Sequence, residues 1–299
     1  MSEPGGGSAR FSVGVFNIEH FGVDGATGCH SRLPLAVDFV KQTTPVPPDV
    51  LILPECTRFE DDGHDALRRV VNELCRALPH GELYEPFVDD WRERRNPPGV
   101  LINRAKFEVD NYYRPNSNSG PYKGVVKTRI DGIPVVFIPD HWPGGAGRPE
   151  FDRSAQRWKP WSTMNTVAGG DLNITSSWER DFRFADPDGP TWYQACERRG
   201  ERHKLKQKGR RNPVTGEWEI DTEALDELRE LGWVDAGEEA DNPAITDRHP
   251  VDGLGLRIDR ILRSPGFNGE QVPDSYFCAQ PPRNVSDHAY VGADFIVCR

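Results

Sequence analysis

Apolar residues fall along the chain in short runs of two kinds. From Phe11 to Phe16 (FSVGVF) and from Asp49 to Leu53 (DVLIL) they are nearly continuous, the mark of strands buried on both faces. Between these runs, Leu33 to Thr43 carries apolar side chains at 33, 35 to 37, 39 and 40 and leads into PVPP, which predicts a helix stopped by proline. Ala66 to Leu78 predicts an amphipathic helix, with Leu67, Val70, Val71, Leu74 and Leu78 on one face and Arg68, Arg69 and Glu73 off it. The acidic run from Glu60 to Asp65 suits the N-terminal end of that helix, where the dipole favours negative charge.

The middle of the chain alternates strand-like runs with turn signals. Leu83 to Val88, Gly99 to Asn103, Gly124 to Arg129 and Ile133 to Pro139 read as strands. The last two flank Asp131-Gly132, a hairpin signal, because this dipeptide accepts the positive φ angles of a tight turn. A helix is predicted from Phe151 to Met164, then a strand ending in AGGDLN, a helix from Thr222 to Leu231, and closing strands at Arg257 to Leu262 and Ala289 to Val297. There is no internal repeat. Strands apolar on both faces imply sheets covered on one side by another sheet and on the other by helices. The Gly/Ser-rich first ten residues predict a disordered tail over 1–10, and the absence of a compositional break predicts a single domain over 11–299.

Composition narrows the class. With 299 residues, 36% hydrophobic and 28% charged, the chain can bury a substantial core, which excludes collagen-like, disordered and disulfide-stapled miniature proteins. No apolar run approaches the roughly 20 residues of a membrane span, and MSEPGGGSAR lacks the basic and apolar regions of a signal peptide, so a soluble cytoplasmic protein is expected. Six scattered cysteines without a CxxC pair predict free thiols and no cysteine-based zinc site.

Polar residues at the ends of apolar strands are the candidates for chemistry, because the strand fixes them and the loop exposes them. They are Asn17 and Glu19 after FSVGVF, Glu55 after DVLILP, His141 after VVFIPD, Asp171 and Asn173 in GGDLN, and Asp287 with His288 in SDH. Asp259 lies within another such strand, RIDRIL. Clustered carboxylates and amides without thiolates suit a hard cation, Mg²⁺ or Mn²⁺. Such a site supports hydrolysis of phosphate esters, with an aspartate to activate water and a histidine to contact the phosphoryl oxygens.

The strings VFNIEHFG, DVLILPE, FIPDHWPGG, GGDLN, RIDRIL and SDHAYV, in this order, resemble the endonuclease/exonuclease/phosphatase superfamily. The resemblance implies an α/β (α+β) fold, a four-layered sandwich of two face-to-face mixed β-sheets flanked by helices, with the site at one edge. It also implies roles. Glu55 is similar to the principal metal carboxylate, Asn17 to an amide holding metal or phosphate, Asp287 to a second metal-side carboxylate, and Glu19 to an auxiliary ligand. Asp171 resembles the water-activating aspartate, Asn173 a phosphate-binding amide, His141 a histidine near the leaving group, and His288 the phosphate-contacting histidine. Asp259 is similar to the carboxylate that orients His288, a pairing that physics also asks for, since an imidazole needs an acceptor at its other nitrogen. Pro54 stands where the family commonly has Gln.

Two further features bear on the substrate. Arg198 to Arg211 holds eight Lys/Arg and one Glu, a local +7 in a chain of net charge −10, which makes Lys204, Lys206 and Arg210 candidate nucleic-acid contacts. Trp142, beside His141, is the candidate for stacking a base. Cys29 and His30 follow the first strand and read as a loop pair. The leading expectation is a phosphodiesterase or nuclease cleaving nucleic acid. The alternative is a phosphatase or phosphodiesterase for a small phosphorylated metabolite or nucleotide, favoured by the acidic balance. A non-catalytic binding module on the same scaffold would replace one of Glu55, Asp171, Asn173 or His288 by an apolar residue, and none is replaced.

Overall fold

The computed structural model describes residues 7–23, 29–57, 59, 61–77, 82–88, 96–113, 124–142, 156–179, 192–198, 200, 209–212, 214–247 and 255–299. In chain order its strands are β1 (Ser8–Phe16), β2 (Val50–Leu53), β3 (Tyr84–Val88), β4 (Gly99–Asn103), β5 (Glu108–Tyr113), β6 (Val125–Ile130), β7 (Ile133–His141) and β8 (Thr166–Asp171). There follow β9 (Gly209–Arg211), β10 (Trp218–Ile220), β11 (Val234–Asp235), β12 (Asp259–Arg263), β13 (Gly269–Gln271), β14 (Phe277–Ala279) and β15 (Tyr290–Cys298). The helices are α1 (Leu33–Thr43), α2 (Asp61–Cys75), α3 (Trp192–Arg198), α4 (Glu223–Glu230) and α5 (Ala236–Glu239).

Two mixed sheets carry the fold. The first runs β13-β15-β1-β2-β4-β3, with β14 also on β15, and the second runs β11-β12-β8-β7-β6-β5. Each contains one parallel pair, β1 with β2 and β7 with β8. Their facing surfaces share one apolar cluster. Val13, Val15, Val50 and Ile52 from the first sheet meet Val126, Val135, Phe137, Val167 and Ile261 from the second. On the outer face of the first sheet, Leu51, Leu53 and Leu101 pack with Val37 and Val40 of α1 and Leu67, Val70 and Leu74 of α2. On the outer face of the second, Val136, Ile138 and Ala168 pack with Trp158, Trp161 and Leu225 and Leu228 of α4. The layers are therefore helix, sheet, sheet and helix. Burying both faces of each sheet explains why β2 is apolar throughout and why β4 and β8 are apolar or small up to their last residues, Asn103 and Asp171.

Most local expectations hold. α1 has the predicted bounds, α2 begins in the acidic run, and Ile130 pairs with Ile133 across Asp131 and Gly132 at φ 50° and 75°. Three do not. Residues 8–10 are not part of a tail, because Ser8, Ala9 and Arg10 already pair with Cys298, Val297 and Ile296 in β1. The helix expected over 151–164 is, in its described part, a single turn at 156–158 followed by 3-10 turn Lys159–Trp161; Pro160 has no N–H to continue it. Part of the basic stretch forms the hairpin β9–β10, where no element is predicted. The six cysteines are free, and among the described residues no helix is long and apolar enough to cross a membrane.

Candidate active site

The site residues gather at one end of the sandwich, where β1, β2, β7 and β8 finish and β12 and β15 begin. In the second sheet three adjacent strands present a row: Asp259 is opposite Asp171 in the register of β12 with β8, and His141 is opposite Asp171 in that of β7 with β8. A glycine makes that row possible. Gly170 has φ 148°, and a Cβ there would lie 1.7 Å from the carbonyl oxygen of Asp140, so only glycine lets the two backbones approach this closely. The first sheet supplies Asn17 after β1, Glu55 after β2 and His288 before β15.

Asp171 is the centre of the arrangement. Its Oδ2 lies 3.3 Å from Asn17 Nδ2, 3.8 Å from His141 Nε2 and 3.9 Å from His288 Nε2. Asn17 Nδ2 also reaches Glu55 Oε1 at 3.3 Å, so one buried amide bridges the two carboxylates. Glu55 Oε1 faces His141 Nε2 at 3.4 Å. Burial works against the charge on Glu55, but the hydrogen bond from His20 and the nearby His141 outweigh it and bring its pKa down to about 2. The neighbouring Cys56 is fully buried, which pushes its thiol up and leaves no thiolate at the site.

His288 and Asp259 form a buried pair, Nδ1 to Oδ2, at 2.9 Å. Burial alone would lower the imidazole pKa. Asp259, and behind it Asp171 and Asp287, raise it well above the ordinary value, so the ring carries its proton at neutral pH. Burial lifts Asp259 to about 6 against the opposing effect of His288, which leaves it ionised at neutral pH. The main chain around the pair is fixed by Thr246 Oγ1, which accepts from the N–H groups of Ile258 (2.8 Å) and Asp259 (2.9 Å), and by Ser286 Oγ, which donates to Asn17 O at 2.7 Å.

The other predicted residues are placed differently. Asn173 takes a positive φ of 53° and is held by N–H to Asp171 Oδ1 at 3.0 Å and Nδ2 to Trp142 O at 2.6 Å. Glu19 lies outside the carboxylate cluster: Arg32 binds its Oε2 at 2.5 Å, which turns it away from the auxiliary-ligand role. Asp287 stands at the rim, its Oδ1 3.9 Å from His288 Nε2. Trp142 is 2% exposed and packs against Trp158 at 5.7 Å, so its ring belongs to the core and offers no face to a base. Arg210 is paired with Glu219 and Glu223, and Lys204 and Lys206 lie outside the described residues. His30 donates from Nδ1 to the Phe21 carbonyl, 2.9 Å away, as a loop residue.

Four participants escape pattern reading. His20 contacts Glu55, Asn96 O meets His141 Nδ1 at 3.4 Å, Thr246 braces Asp259, and buried Asp140 takes Arg157 and Trp158 Nε1 at 3.1 Å each. Only His20, three residues past Asn17 in NIEHFG, carried a local signal.

The donor set fits a divalent cation. Ligand atoms of Glu55, His141 and Asp171 lie within 4.8 Å of one another, and so do those of Asp171, Asp259 and His288. The donors are carboxylate oxygens and the His141 imidazole, protonated His288 having no lone pair to offer, and Asp259 Oδ1 is buried without a hydrogen-bond partner among the described residues.

Comparison with known proteins agrees with this fold. Solved structures of the same fold include truncated TDP2 from Caenorhabditis elegans (18% identity, 96% of this chain and 97% of that chain, TM-score 0.53). An endonuclease/exonuclease/phosphatase from Bacteroides vulgatus aligns over 96% of this chain and 98% of its own (14% identity, TM-score 0.57). An AP endonuclease from Archaeoglobus fulgidus aligns over 95% and 98% (18% identity, TM-score 0.53). No curated protein sequence matches the chain. Residues 14–288, which contain every site residue named above, match the Endonuclease/Exonuclease/phosphatase family, and the chain belongs to it.

Proposed function

We propose that the protein is a divalent-metal-dependent phosphodiesterase that cleaves nucleic acid. One observation carries the reading: the Asp171 carboxylate belongs at once to the cluster with Glu55 and His141 and to the cluster with Asp259 and His288. A base, a cationic donor and a second carboxylate thus converge on one volume.

A Mg²⁺ or Mn²⁺ ion held at Glu55 would neutralise charge on the phosphoryl oxygens. The protein's own groups do the rest. Asp171 accepts a proton from the attacking water, whose oxygen bonds to phosphorus as the ester P–O bond breaks. His288, oriented by Asp259 through Nδ1, presents a charged Nε2–H to a phosphoryl oxygen, where a fixed cation in a site of low dielectric is most effective. His141 serves the departing oxygen, Asn173 the phosphate, and Asp287 the rim of the site.

The likeness to an AP endonuclease favours a nucleic-acid substrate. The net charge of −10 favours the second reading, a small phosphorylated metabolite or nucleotide. Assaying the purified protein with Mg²⁺ against plasmid DNA, RNA and a panel of phosphorylated metabolites separates them. Turnover should vanish with chelator and return with added Mg²⁺, and full activity in excess chelator would remove the metal from the mechanism.

A further inference from the structure

The segment that joins Asn17 to α1 is strained. Glu19, His20 and Phe21 have φ of 42°, 53° and 55°, and Gly22 follows at 69°. Left-handed backbone costs about 1–2 kcal/mol per residue with a side chain, and none of the first three is an Asn, Asp or Gly. Such strain persists where neighbouring contacts over-determine it. Here Gly22 N–H donates to Ile18 O at 2.9 Å and to Glu19 O at 3.1 Å, Arg32 grips the Glu19 carboxylate and donates to Glu19 O at 2.9 Å, and the buried Phe21 ring packs edge-on to His30 at 5.5 Å.

What the turn delivers is His20, set on one oxygen of Glu55. The His20 N–H donates to Glu55 Oε2 at 2.8 Å, and Nδ1 lies 3.2 Å from the same atom. The other oxygen, Oε1, points the opposite way, toward Asn17 Nδ2 and His141 Nε2. A carboxylate with both oxygens free can rotate and bind a cation through either or both. Pinning one removes that freedom.

We propose that His20 is a positioning residue that divides the labour of the Glu55 carboxylate: the left-handed turn holds Oε2, and Oε1 is thereby kept aimed at the divalent cation. This rests on the metal-dependent reading above. Partners that hold a metal ligand in place are typically worth about 10–100-fold in metal affinity.

The test is Mn²⁺ binding to the intact protein without substrate, followed by electron paramagnetic resonance and calorimetry, for wild type and three variants. His20→Gly accepts the positive φ without strain but has no side-chain donor. His20→Ala lacks the donor and keeps the strain. His20→Asn tolerates the left-handed backbone and places an NH₂ where Nδ1 now sits, the same number of bonds from Cα. The expected order is wild type and His20→Asn together, with His20→Gly and His20→Ala about 10-fold weaker. His20→Gly binding Mn²⁺ as tightly as wild type would show that only the backbone shape matters and would overturn the proposal while leaving the metal site intact. His20→Asn as weak as His20→Ala would overturn it as well. No Mn²⁺ binding by wild type would instead bring down the metal-dependent reading, and this proposal with it.

Discussion

Asp171→Asn exchanges an acceptor oxygen for an NH₂ that would face the Asn17 amide and the protonated His288 Nε2, both of which are donors. It removes the base and leaves the ring of donors unmatched, so kcat should fall on the order of 10²-fold or more with the fold intact. His288→Ala should cost as much, and Asp259→Asn less, because it disorients the imidazole without deleting it. Wild-type turnover by Asp171→Asn would refute its assignment as base. The charge on His288 can be read directly. Its raised pKa means that the imidazolium persists through the ordinary value of 6.5 and that what its charge contributes is lost only as pH rises through the higher folded value. With Asp259 near 6, the ion pair occupies the window from about pH 6 upward past the ordinary histidine range. A ¹⁵N NMR titration should therefore show an imidazolium at pH 7, and a ring already neutral there would contradict the pair. The residues at strand ends were legible in the sequence through their joint occurrence, since one polar side chain closing an apolar run is most often a solvated loop residue and a set of carboxylates, amides and imidazoles is not. His20, Asn96 and Thr246 were not, because each acts through a backbone turn or a contact between segments far apart in the chain.

Between elements, the close approach of β7 and β8 and the buried charges behind β12 do most to hold the site. Gly170→Ala would drive a methyl group into the Asp140 carbonyl, and the least costly response is to separate the strands that set His141 beside Asp171. Destabilisation of about 3 kcal/mol or more is expected, with activity lost in the fraction that still folds. Behind β12, Arg257 and Arg260 meet Glu179 and Asp235, all four side chains fully buried. Arg260 also donates to Ile174 O at 3.0 Å, which ties the segment after Asn173 to the strand of Asp259. Asp235 additionally caps α5 by accepting from Gly237 and Glu238 N–H. Burial opposes its charge, yet the two arginines bring its pKa from 3.8 to about 2. A depressed acid stabilises the fold above its unfolded pKa and loses the contribution as pH falls through the folded one, so about 2 kcal/mol should disappear between pH 4 and 2. Asp235→Asn, which leaves two buried guanidinium groups short of a partner, should cost about 3–5 kcal/mol in urea unfolding at pH 7. That gap should narrow toward pH 2, and a constant gap would argue against an ionised Asp235. Central strands were readable because burial on both faces leaves an uninterrupted apolar run. The hairpin β9–β10 was hidden because GRR offers no alternation, and the turn at Lys159 was mistaken for a longer helix because tryptophans spaced by three imitate an amphipathic face.

For the molecule as a whole, the unsettled matter is how an acidic body would meet a polyanion. Residues 198–211 carry +7 and the remainder of the chain −17, so a nucleic-acid substrate would be repelled everywhere except near this stretch. Two of its cations are already committed within the fold, Arg210 to Glu219 and Glu223, and Arg211 to the face of Trp218 at 5.4 Å. Replacing them would disturb the hairpin and confound the result. Lys204, Lys206 and Lys208 are the better probes. If the substrate is a polynucleotide, replacing all three with Ala removes up to three phosphate contacts, and the slope of log KM against log salt should flatten by about 2 to 3, since each contact contributes roughly 0.7–0.9. The rise in KM should come with kcat little changed, because these contacts hold ground state and transition state alike. A small phosphoester could touch at most one or two of the lysines, so the salt response would be shallow and the variant's slope would differ little from that of wild type. KM measured across a salt series on DNA and RNA, for wild type and the triple variant, decides the matter: identical shallow slopes would overturn the nuclease reading and leave the small-molecule phosphoesterase in its place.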